Sequence, residues 1–183
     1  MDDDPRGAHP VEGVDPAPSE QAAEAGAHEK ELLASFLDYQ RETLLWKLSG
    51  LTDEQLRRTW TPTGLSLLGL VKHLGYVEHN WFQGRFMGGE LLRPWLQDPG
   101  VAFRIEPDET AESVLAFYRG KVAESRRIVD EAASLDTIAR EAERSPDQRR
   151  ALRRILVHMI QETARHNGHA DLMRELTDGR TGE

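Results

Sequence analysis

The sequence predicts an all-α fold: a four-helix bundle with a long connection between helices two and three and a disordered N-terminal tail. Three observations carry this. Apolar residues recur at helical spacing in four long segments, 29–49, 66–86, 109–133 and 146–177. No segment alternates apolar and polar residues convincingly as a half-buried strand does, and no internal repeat is visible. Glycine and proline gather between the segments, where a bundle needs its connections.

In the first helix Leu33, Phe36, Leu37, Leu44 and Leu48 share one face, and Gly50 supplies the stop. Thr52-Asp53-Glu54-Gln55 is a capping box that opens a short helical turn, followed by a loop that Pro62 breaks. The second helix is broadly apolar through Leu67, Leu68, Leu70, Val71, Leu74, Val77, Trp81 and Phe82. His73 lies within that face, Asn80 returns to it seven residues later, and His79 points to the far, solvated side.

Residues 87–108 hold Gly88-Gly89, Pro94, Pro99-Gly100 and Pro107, and form a long irregular connection. Trp95, Leu96, Val101 and Phe103 indicate that it packs down, as a loop covering a site or an interface does. Asp108 caps the third helix, which turns Val114, Leu115, Phe117, Tyr118, Val122, Ile128 and Val129 inward. A polar connection over 134–144 leads to the last helix, where Ser145, Pro146 and Gln148 form a capped start and Asp178-Gly179 a stop. Residues 1–28, with Asp2-Asp3-Asp4 and few large apolar side chains, read as a disordered tail. The folded domain is expected over 29–180.

Composition narrows the chemistry. Among 183 residues there is no cysteine, which excludes structural disulfides, thiolate ligands and a cysteine nucleophile. A thiol reaction here would take its thiol from a small molecule, and any metal would use His, Asp or Glu. A net charge of −9 without a dense basic run argues against nucleic acid as a partner. No stretch reaches the roughly 20 apolar residues that cross a membrane, and the N-terminus lacks a signal-peptide pattern. The expected location is the cytoplasm.

The last helix carries the chemically informative pattern. His158, Glu162 and His166 follow at steps of four, and His169 lies three further on. Each four-residue step turns a side chain by roughly 40°, so these groups form one polar stripe, flanked by Ile155, Leu156, Met159, Ile160, Leu172 and Met173. Glu162 and His166 lie one turn apart, close enough to share one ion, and His73 from the second helix can supply a third ligand. Two histidines and a carboxylate leave a coordination position open, as catalytic zinc sites do, and also suit nickel, iron or manganese. Spacing leaves the alternative that Glu162 and His166 form an ordinary helical pair on a solvated face. His158 and His169 stay as rival ligands, although both are expected outside the metal's coordination sphere.

The segment from Gly64 to Phe82, with its His73-Leu-Gly setting, paired with Glu162-Thr-Ala-Arg-His-Asn-Gly-His-Ala-Asp-Leu172, resembles the DinB-like superfamily over residues 30–178. The nearest likeness is to its uncharacterised actinobacterial branch. The resemblance implies a four-helix bundle, often dimeric, with a divalent metal held by His73, Glu162 and His166. Glu at the second position, where many members have His, is similar to mycothiol-dependent maleylpyruvate isomerase and its His/Glu/His zinc site. It further implies thiol-dependent transfer or isomerisation on a small-molecule substrate, with mycothiol or a related low-molecular-weight thiol as cofactor. In that reading Asn80 lines the cleft and orients substrate or thiol. The alternative is a non-catalytic helical module, a stress-associated homodimer in which the metal is structural or absent.

Overall fold

The computed structural model describes residues 29–141, 145 and 148–182. The tail at 1–28 and Pro146, expected to open the last helix, lie outside the described residues. Four long helices form the framework: α1 (Glu29–Leu48), α3 (Leu67–Glu78), α4 (Ala111–Glu131) and α5 (Leu152–Asp178). A short α2 (Asp53–Arg57) bridges α1 and α3, and its capping box forms as the sequence implies, with Thr52 and Gln55 exchanging hydrogen bonds. Among the described residues there is no strand, and no helix is long and apolar enough to cross a membrane.

α1 packs on α5, α3 packs on α4, and α3 also touches α5. The core divides into two apolar clusters. Leu44, Leu48, Leu70, Leu74, Val114, Tyr118 and Met173 belong to one; Leu37, Phe82, Phe86, Ile128, Leu156 and Met159 belong to the other. Between them in sequence on α1 stands Arg41, and on α3 stands Glu78, 3% and 1% exposed. The guanidinium donates to both carboxylate oxygens, Nε to Oε1 at 2.8 Å and Nη2 to Oε2 at 2.7 Å, and its Nη1 donates to Asp38.

Three boundaries differ from the sequence expectation, each for a local reason. The second helix does continue to Phe86, but from His79 it widens into a π-helix, closed by Met87 N–H donating to the Phe82 carbonyl. The third helix is capped by Thr110 with Ser113, not by Asp108, because the Thr110 hydroxyl accepts from Ser113 N–H and the Ser113 hydroxyl accepts in return. The last helix begins at Leu152, not near Pro146. An isolated antiparallel bridge between Ile138 and Ala151 accompanies the extended backbone of Ala151, with Ala139 N–H donating to the Arg150 carbonyl and Leu152 N–H to that of Thr137. The connection read as polar therefore packs in part: Leu135, Ala139 and Glu141 are buried.

The 87–110 connection is irregular and packed. Lys72 holds it down, its Nζ donating to the Arg104 carbonyl and to Glu109. Gly69 is the point of closest approach to α3: a Cβ there would lie 2.1 Å from the Phe103 carbonyl oxygen.

Removing one member of a buried ion pair leaves the other charge uncompensated. Glu78→Ala is therefore expected to lower unfolding free energy by about 3–5 kcal/mol, whereas the double change Arg41→Met, Glu78→Leu costs less. Urea unfolding of the two variants checks this.

Candidate metal centre

His73 projects from α3, and Glu162 and His166 project from successive turns of α5, where the two helices meet. One donor atom from each lies within 4.8 Å of the other two. His166 Nε2 is 3.3 Å from Glu162 Oε1, and His73 Nε2 is 3.9 Å from the same oxygen. For ligand bonds of about 2.0–2.2 Å, a tetrahedral ion needs donors about 3.4 Å apart, so the spread of these atoms fits one small divalent ion. Glu162 and His166 do make the contact of an i,i+4 helical pair, but not on a solvated face, since His166 is buried and Glu162 is half-buried.

The protonation state fits as well. Burial, with His166 close by, pushes the His73 pKa down to about 4 despite the pull of Glu162. Burial also lowers His166, against Glu162 and with help from His169 and Arg165. Both imidazoles are therefore held neutral near pH 7, the form that ligates a metal.

The three side chains are braced differently. Glu162 accepts from Arg165 on its other oxygen, Oε2, at 2.9 Å. His166 Nδ1 meets His169 Nδ1 at 3.3 Å. Without an ion, Nε2–H of His166 donates to Glu162; with an ion on Nε2 the proton would sit on Nδ1, where His169 is in place to accept it. His73 Nδ1 is buried and has no hydrogen-bond partner among the described residues. Its ring lies instead against Phe103, centroids 4.1 Å apart and planes 15° from parallel. A cavity of about 380 Å³ borders the same Phe103, lined also by Arg57, Thr59, Thr63, Ser66 and Arg104.

The remaining sequence candidates fall in distinct places. His158 packs on Trp81 at 4.2 Å and stands apart from the three converging donors. His169 is exposed, yet it touches His166. His79 is not a solvated residue: Nε2 donates to the Glu90 carbonyl and Nδ1 accepts from Lys121. Asn80 is buried, and its amide engages Leu92 at both ends, donating to the carbonyl and accepting from the N–H at 2.7 Å each. Arg165 and His169 lie three residues after the candidate ligands they touch, a spacing that the sequence displays. Phe103 is distant in sequence and carries no such signal.

A histidine whose pKa falls on folding stabilises the protein fully above its unfolded value, about 6.5. That stability is lost as pH falls through about 4, because the unfolded chain takes up the proton first. Metal-free protein is expected to lose stability between pH 6.5 and 4.5, with on the order of 2 kcal/mol of the loss due to His73. Chemical denaturation across this range should show a shallower slope for His73→Asn; equal slopes would contradict the burial of a neutral ring.

A family model described as mycothiol-S-transferase matches residues 32–179, most of the chain. Among solved structures, a conserved protein of locus from Enterococcus faecalis superposes with a TM-score of 0.60 at 17% identity, covering 84% of this chain and 99% of that one. Identity at that level bears on the fold alone. No curated protein matches. The chain belongs to the mycothiol-S-transferase family, within the DinB-like superfamily.

Proposed function

We propose that this protein is a divalent-metal-dependent transferase or isomerase that uses a small thiol, mycothiol by family, against an electrophilic small molecule. The observation that carries the reading is the convergence of His73, Glu162 and His166 from two helices onto one point, in a chain of this family. A divalent ion held there supplies Lewis acidity that favours thiolate over thiol at neutral pH. Zinc suits two imidazoles and a carboxylate, and nickel, iron or manganese could take the same set.

The residues divide the work. His73 and His166 offer neutral nitrogen, and Glu162 offers one oxygen while Arg165 holds the other. With an ion on Nε2, His169 would accept the proton that His166 then carries on Nδ1. With no cysteine in the chain, the nucleophilic sulfur has to arrive with the co-substrate. The cavity beside Phe103 offers hydroxyls from Thr59, Thr63 and Ser66 and guanidinium groups from Arg57 and Arg104, a polar lining suited to the body of such a thiol. Asn80 would act on substrate through the 87–110 loop, which it fastens at Leu92.

The test combines metal analysis with thiol consumption. Protein purified without chelator or metal-affinity resin should contain about one divalent ion per chain and consume mycothiol in the presence of an electrophile such as an aryl halide. Glu162→Ala and His166→Ala should each abolish both properties while the helical signal stays unchanged, because the core clusters do not depend on the ion. A variant that loses metal and unfolds, or full turnover without metal, would instead make the ion structural or dispensable.

A further inference from the structure

The two ligand histidines are oriented by different means. His166 has a hydrogen bond on the nitrogen turned away from Glu162; His73, although its Nδ1 is buried, has none there among the described residues. Metal-bound histidines are usually steered by such a bond. What lies flat against the His73 ring is the face of Phe103, centroids 4.1 Å apart. Phe103 is seated in turn by its backbone, whose carbonyl occupies the notch left by Gly69, one helical turn before His73. The next residue's carbonyl is tied to α3 through Lys72.

We propose that Phe103 is a positioning residue for the metal centre: its ring, seated through Gly69, holds His73 with Nε2 toward Glu162 in place of the missing hydrogen bond. The inference rests on the metal reading above but concerns the apolar support of one ligand, a role that neither the family match nor the sequence motifs assign. It also makes the wall of the neighbouring cavity and the support of the ion the same side chain.

Zinc affinity, measured by competition with a chromogenic chelator, tests this without turnover. Phe103→Leu keeps apolar bulk but removes the flat face, and should weaken zinc binding by about 10–100-fold, the range for loss of a ligand's orienting partner. Phe103→Tyr, which keeps the face, should stay within about threefold of wild type, and the visible spectrum of its cobalt-substituted form should match wild type while that of Phe103→Leu changes. Gly69→Ala provides an independent arm, because it displaces the Phe103 backbone while favouring the helix. It should lose affinity comparably, and combining it with Phe103→Leu should add little. Should Phe103→Leu fail to fold, Gly69→Ala with Phe103→Tyr decides the matter. Wild-type zinc affinity in Phe103→Leu or, failing that variant, in Gly69→Ala overturns the proposal, as does equal loss in Phe103→Tyr. Wild type that binds no zinc overturns the metal reading itself.

Discussion

Arg41 and Glu78 impose the tightest constraint in this fold. Two charges that are nearly out of water are tolerable only if they meet, and they meet through two parallel hydrogen bonds. A slip of one turn between α1 and α3 would bury both unpaired. The pair therefore sets the register of α3 against α1, and α1 is the helix on which α5 packs. His73 lies on the α3 side of this arrangement, and Glu162 and His166 on the α5 side. Immediately after Glu78 the coil widens into the π-helix that carries Asn80 to Leu92. The ion pair thus lies between the two apolar clusters of the helices that carry the candidate site and the loop beside it.

The candidate site gathers two imidazoles and a carboxylate inside an apolar bundle. Burial lowers both imidazole pKa values, so the protein meets the cost of neutral histidines on folding and a metal need displace no proton from them at neutral pH. Glu162 and His166 are braced by neighbours on their own helix, Arg165 and His169. His73 is braced across the chain by a loop ring. The candidate site thus has local partners on its α5 side and the ring of Phe103 on its α3 side.

Much of this was legible in the sequence. The helical periods marked four helices because each buries one stripe, and Thr52 to Gln55 announced its capping box. Glu162 and His166 were visible as neighbours because a helix fixes the distance between residues four apart. The pairing of His73 with them needed the family motifs, since periodicity does not say which faces of two helices meet. The errors came where a non-local bond overrode a local preference. Ser145 and Gln148 are good capping residues, yet the bridge from Ile138 to Ala151 delays α5 to Leu152. His79 falls on a polar face of an ideal helix, but the π-turn and Lys121 give it partners. Phe103 looked like one more loop anchor, because stacking between residues thirty positions apart leaves no periodic trace.

The central claim is that His73, Glu162 and His166 hold an ion that receives the sulfur of a small thiol. X-ray absorption at the metal edge, on zinc-loaded protein before and after addition of mycothiol, tests it most directly. The account predicts a shell of only nitrogen and oxygen at about 2.0–2.2 Å without thiol, and one sulfur scatterer at about 2.3 Å once mycothiol is added. A shell that stays free of sulfur at saturating mycothiol would contradict it.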